Sequence, residues 1–260
     1  MSKNLKPKMW GGARARVAEY HKSNGLPQPI LYLPMWERSG ETVYDLSGGA
    51  HHGAFTNETF WTGDAIEGDG SNDYIDCGGH SDFVMADSFT LHCIALRHSA
   101  TGTDRMAGTG DWSFGTNDTK LRFTTHRVKD YDTVTSGLYS ADKQFIASVV
   151  LDAADDASFY VDGSFVETVS HTNGPYTDEN EFAVCRPGNR SQEYWYGLIY
   201  LVSVYNKILS FSQIKLLHEE PYGPVRPRML FWDMAVAAKS AAPGGGVSIP
   251  IARSYYSELV

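Results

Sequence analysis

The segment LYLPMWERSGETVYDLSGGAHHGAF at residues 31–55, followed after a short variable piece by DAIEGDGSNDYIDCG at residues 64–78, decides the fold. Leu31, Leu33 and Met35 alternate with Tyr32, Pro34 and Trp36, the period of a strand with one face on a core. Ser39-Gly40 breaks that run, and Asp45-Leu46-Ser47-Gly48-Gly49 then reads as a tight loop. In such a loop Asp and Ser accept from nearby backbone amides, and the glycines tolerate positive φ. Asp73 to Cys77 alternates again between Gly70 and Gly78, so a second strand is expected beside the first.

Working outward, Phe89 to Leu96 and Phe145 to Leu151 read as sheet strands, and Trp112-Ser113-Phe114 and Leu121-Arg122-Phe123 as two short strands about a turn at Thr116-Asn117-Asp118. Residues 97–110 read as a polar loop. Asp162-Gly163 between Tyr160 and Val166 is a two-residue hairpin signal, since a type I′ turn needs φ > 0 at both central positions. Phe182 to Val184 makes one more strand. Many short strands with regular turn signals and almost no helix predict an all-β, two-layer sandwich. The expected divisions are an N-terminal arm at 1–29, a sandwich at 30–220 and an apolar tail at 221–260. Within the arm, Ala13 to His21 is helix-compatible, and Gly25 and Pro27 end it.

These motifs resemble the laminin-G-like group of concanavalin A-like jelly rolls. The opening strand is followed by Gly40, Asp45, Ser47, Gly48 and His52-Gly53, then by Ile66, Gly68, Asp73, Tyr74 and Ile75. SFYVDG at 158–163 resembles the family's hairpin, and GLIYLVSVYNKILSFSQI at 197–214 its closing strand and short helix. The resemblance implies a jelly roll and leaves the activity open, because one sandwich hosts lectins, adhesins, enzymes and structural parts. It also implies a calcium site with Asp45 as a ligand, the alternative being that Asp45 shapes the turn. The acidic residue the family commonly places in the closing strand is replaced here by Tyr200.

A formal charge of −9 argues against a nucleic-acid partner, which needs a concentrated basic face. Three widely spaced cysteines without C-x-x-C spacing indicate neither a zinc site nor a disulfide framework. The N-terminus has no apolar signal-peptide core and no segment is long enough to span a bilayer, so synthesis in a host cytoplasm without membrane insertion is expected. No H-E-x-x-H, G-x-S-x-G or G-K-[ST] motif is present. Glu67-x-Asp69-x-x-Asn72 only approaches the E-x-D-x-x-E of glucanases, lacking its second glutamate. A non-catalytic protein is expected.

Trp112, Tyr131, Tyr194 and Trp195, the last two within the run Tyr194-Trp195-Tyr196, are candidates for an exposed sugar-binding platform; the alternative is that they fill a core or an interface. The closing strand is apolar on both alternating sets, Leu198/Tyr200/Val202 and Ile199/Leu201/Ser203, so something besides the core must cover it. Tyr200, Val202 and the tail residues Met229, Leu230, Phe231 and Trp232 are therefore expected at an interface, formed either by the chain's own tail or by another subunit. The order of basic arm, jelly roll, "E-P-Y…R-P-R" and apolar tail resembles proteins of tailed bacteriophages and prophages. That resemblance implies a virion component, held to capsid or tail proteins and to copies of itself, whose sandwich touches cell-surface glycans. A free carbohydrate-binding module is the alternative, and a glycoside hydrolase the second.

Overall fold

Sixteen strands pair antiparallel in two eight-stranded sheets in the computed structural model, which describes residues 6–84, 88–152, 156–170 and 180–225, with side chains from residue 12 onward. The first sheet runs β14 (Ser164–Ser170), β13 (Asp156–Val161), β12 (Gln144–Leu151), β7 (Phe89–Arg97), β16 (Tyr196–Tyr205), β5 (Ile66–Asp69) and β4 (Phe60–Trp61), with β1 (Leu31–Leu33) also paired to β16. The second runs β11 (Lys129–Asp132), β10 (Lys120–Thr125), β9 (Trp112–Asn117), β8 (Thr103–Gly108), β15 (Glu181–Val184), β6 (Tyr74–Gly79), β3 (Gly53–Thr56) and β2 (Thr42–Val43). Between the sheets lies one apolar core, with Leu91, Cys93, Phe114, Phe123, Phe159 and Val202 among its fully buried members. Cys77, Cys93 and Cys185 are buried free thiols, and burial pushes each well above the usual thiol range.

The hairpin at Asp162-Gly163 has φ of 46° and 79°, the pair of left-handed positions its sequence demands. Two strand expectations change. β1 stops at Leu33 because Pro34 has no N–H to donate and Met35 takes φ 50°, although the Met35 side chain still enters the core. The expected loop at 97–110 contains β8; a bulge between Arg105 and Ala107 breaks the period-2 pattern that would have revealed it.

The covering of the closing strand is where the interface expectation is corrected. A bulge between Ile199 and Leu201 inserts one residue, so the two alternating sets of the sequence are mixed. Ile199, Val202 and Val204 face the inter-sheet core, while Tyr200 and Leu201 both turn outward. Val202 is thus an ordinary core residue. Tyr200 lies in an outer apolar layer with Tyr32, Leu46 and Ile94, covered by Ala13 and Val17 of helix α1 (Lys6–Ser23) and by Tyr222 and Val225. Arg16 Nε donates to the Val225 carbonyl at 3.3 Å, and the His21 ring meets Tyr205 Oη at 3.0 Å. The N-terminal arm therefore folds across its own sandwich. Met229, Leu230, Phe231 and Trp232 lie outside the described residues.

Helix α2 (Phe211–Glu219) covers the rest of that face. It begins at Ser210, whose hydroxyl accepts from Gln213 N while the Gln213 side chain reaches back to Ser210 N, a capping box. Its Ile214 and Leu217 pack on Val150, Tyr160 and Tyr205. Beneath it runs a polar chain: His92 Nδ1 to Ser148 Oγ at 2.9 Å, Ser148 Oγ to His218 Nε2 at 3.0 Å, and Gly163 N donating to His218 Nδ1. Burial holds His92 well below the ordinary imidazole value and His218 down at about 4. Among the described residues no helix is long and apolar enough to cross a membrane.

Candidate binding site

Three of the four aromatic candidates are interior. Trp112 and Trp195 are completely buried and Tyr131 is 2% exposed. Trp112 packs on Phe89 at 4.7 Å between ring centroids, Trp195 on Phe145 at 6.4 Å and Tyr131 on Phe123 at 6.5 Å. Each sits at a core-facing position next to the core, so the exposed platform expected of them is withdrawn. Tyr194 is half-buried, its ring 6.4 Å from Tyr74. The solvent-facing member of the run is Tyr196, at 46% exposure.

The calcium expectation also fails on geometry. Asp45 is fully buried, and both of its oxygens are taken by protein donors. Oδ1 accepts from Tyr32 N at 3.0 Å and Ser47 N at 2.8 Å; Oδ2 accepts from Ser47 Oγ at 2.8 Å and His51 N at 3.0 Å. Three backbone hydrogens point at this carboxylate, together with the Ser47 hydroxyl whose one hydrogen is shared with Ile30 O, whereas calcium needs about 6–8 oxygen lone pairs aimed at it. The residues around Asp45 do not fit the ion; the side chain locks the loop to β1.

At one end of the sandwich, where β5, β7, β8 and β16 meet, Asp69, Gly70, Arg97, Ser99, Thr101, Asp104 and Tyr196 line a polar groove of about 270 Å³. Arg97 closes β7 and is 1% exposed. Its Nε donates to Asp104 Oδ2 at 2.6 Å, Nη1 to Tyr139 Oη at 2.6 Å and Asp118 O at 3.3 Å, and Nη2 to Thr101 O at 2.9 Å. One buried guanidinium thus fixes the 99–102 loop and one groove carboxylate together. The attachment to Asp104 and Tyr139 outweighs burial and raises the Arg97 pKa further, so this charge is permanent.

Asp69 forms the opposite wall. Its Oδ1 accepts from Ser71 N, Asn72 N and Asp73 N at 2.7, 3.1 and 3.3 Å. Partial burial pushes its pKa up, but the backbone amides together pull it below the ordinary carboxylate value. Among the described residues nothing donates to Asp69 Oδ2 or Asp104 Oδ1, which leaves each carboxylate one oxygen for a ligand. Gly70, with φ 75°, lets the chain turn directly beside Tyr196; a Cβ there would sit 2.9 Å from the tyrosine Cβ. His98 meets the Tyr196 ring edge-on at 5.1 Å and is itself held by Asp142 at 2.6 Å. The groove therefore offers a supported aromatic ring and two carboxylate acceptors around an immobile cation.

A two-sheet antiparallel sandwich with a polar rim site is the architecture of lectin-type jelly rolls. The family model described as the concanavalin A-like lectin/glucanases superfamily (Laminin_G_3) matches residues 69–215, and the chain belongs to that family. Solved structures similar to it include a Trypanosoma rangeli sialidase, 15% identical with a TM-score of 0.62, covering 82% of this chain and 38% of that one. The binding domain of botulinum neurotoxin DC, solved with rat synaptotagmin II, is 15% identical with a TM-score of 0.54, covering 74% of this chain and 51% of that one. The botulinum neurotoxin serotype D binding domain is 12% identical with a TM-score of 0.53 and the same coverage. At these identities the likeness is one of fold. No curated protein matches the chain.

Proposed function

We propose that this chain is a non-catalytic binding protein that takes a glycan in the groove beside Tyr196, and that it serves as a component of a tailed-phage particle. The observation that carries the first part is the half-exposed Tyr196 ring set beside carboxylate oxygens that no described residue uses. A pyranose ring presents an apolar face and a rim of hydroxyls that match those two features. With Asp69 and Asp104 against the single cation Arg97, neutral sugars fit better than acidic ones. Support for a binding role over glycoside cleavage comes from Asp69: a general acid needs its proton held at neutral pH, and the amides around Asp69 pull the other way.

The virion reading is supported by the resemblance of the chain's terminal sequences to those of phage proteins, and its partners would be capsid or tail proteins and copies of the chain. A glycan array tests the binding function. Neutral oligosaccharides are expected to bind, with about tenfold loss, or 1.4 kcal/mol, for Tyr196→Ala, and without hydrolysis of the bound sugar. An array without hits, or release of reducing ends from β-glucans, would reject it. Mass spectrometry of purified particles tests the second part: the chain is expected in them, and its removal by deleting residues 226–260 would assign attachment to the tail segment.

A further inference from the structure

The loop between β2 and β3 and the turn after β6 bring together three metal-ligating side chains that the groove does not use. His51, His80 and Asp82 each offer one ligand atom, all within 4.8 Å of one another. His51 Nε2 is 3.0 Å and His80 Nδ1 3.3 Å from the same oxygen, Asp82 Oδ2. The edge of a tetrahedron with metal–ligand arms of about 2.0–2.1 Å is about 3.3 Å long. Both measured separations already lie close to that edge.

His80 Nδ1 accepts from Asp82 N at 3.1 Å, capping the 3₁₀ turn Ser81–Phe83, and the His51 Nε2 contact with Asp82 Oδ2 is a hydrogen bond. Nδ1 therefore carries no hydrogen, and an ion bound there exchanges this cap for the metal bond. His51 is held in place before any ion arrives: its side chain is 5% exposed and its ring lies 4.5 Å from His80 and 4.9 Å from Phe83. Gly49 keeps the space for it, since a Cβ there would come within 2.6 Å of the His51 ring. The backbone of His51 is tied in turn to Asp45 Oδ2. His80 and Asp82 are about half-exposed, so the site opens to solvent.

We propose that His51, His80 and Asp82 form a binding site for a divalent transition-metal ion of the zinc type. Two imidazoles and one carboxylate match its borderline donor preference, and three protein ligands leave the fourth position to water or to an incoming ligand. The bound ion would pin the 48–51 loop to the end of β6, at a place independent of the Tyr196 groove.

Titration of the full chain with Zn²⁺ against a chromogenic chelator tests this, together with Co²⁺ as a spectroscopic probe. One ion per chain is expected, with the intense visible absorption of four-coordinate cobalt. His80→Ala and Asp82→Ala are each expected to lose at least the roughly tenfold affinity that even outer-shell partners contribute. Asp64→Ala, which alters a surface carboxylate paired with Arg38 and away from both sites, is expected to keep wild-type affinity. Thermal unfolding should shift upward with zinc in the wild type and not in His80→Ala. Failure of the wild type to bind either ion, or wild-type affinity in either ligand variant, would overturn the proposal.

Discussion

The two sheets of this sandwich share one core and treat their outer faces in opposite ways. Outside the first sheet, Tyr200, Leu201, Ile94 and Tyr205 are apolar and are closed over by α1, α2 and residues 222–225. The second sheet carries a layer of charge instead. Arg105, Gly115, Arg122 and Asp132 stand in register across β8 to β11, and Ser113, Thr124 and Asp130 form the next row. Arg122 grips Asp132 at 2.5 and 2.7 Å and Asp130 at 2.9 Å, and Arg105 lies between Glu193 at 2.8 Å and Asp130 at 3.5 Å. That layer is not fully satisfied: Arg105 Nη1 and Arg186 Nε are buried without an acceptor among the described residues. An apolar outer face must find a cover, and this chain supplies one from α1, α2 and residues 222–225; the charged face is covered only in part, with Arg105 1% exposed beside Glu193 while Asp130 stays about half-exposed. The proposed recognition surface lies at the sandwich end, where the Tyr196 groove opens.

The contrast can be broken most severely at α1. Val17→Asp places a charge in the completely buried layer against the first sheet and is expected to cost about 3–5 kcal/mol, read as a lowered urea midpoint with loss of solubility. Unchanged stability would mean the helix is not an integral cover. Acid comes next. His92 and His218, kept neutral beneath α2, take up protons in the unfolded chain at the ordinary value of 6.5 but in the folded chain only well below it, His218 at about 4. Their stabilisation is therefore complete above pH 6.5 and is lost as pH falls toward 4, by roughly 3 kcal/mol for His218 alone. Urea midpoints measured from pH 7 to pH 4 check this, and His218→Gln should flatten the fall. The smallest effect belongs to the charged face: Arg122→Ala is expected to cost about 1 kcal/mol. That loss should shrink in 1 M salt, whereas the Val17→Asp loss should not.

Much of the fold was legible because its signals are local. Asp162-Gly163, the alternation at 89–96 and Ser47-Gly48 each specify their structure within a few residues. The aromatic site was not, because exposure is decided by parity relative to strand starts and bulges. Trp195 and Tyr196 are neighbours in sequence, yet one is fully buried and the other is 46% exposed. The same holds for Tyr200 and Val202, whose faces were reassigned by one inserted residue at the β16 bulge. Asp45 was recognisable as a loop residue, but only the structure shows both its oxygens engaged by protein donors. The His51–His80–Asp82 cluster joins residues about thirty positions apart, which come together only when β6 pairs with β3.

The most direct test of the central claim is amide chemical-shift mapping of the ¹⁵N-labelled chain on adding the best neutral oligosaccharide from the array. Perturbations are predicted to concentrate at 69–71, 99–104 and 196, the lining of the groove. Shifts confined to the α1-covered face, or to the Arg122–Asp130 layer, would contradict the account.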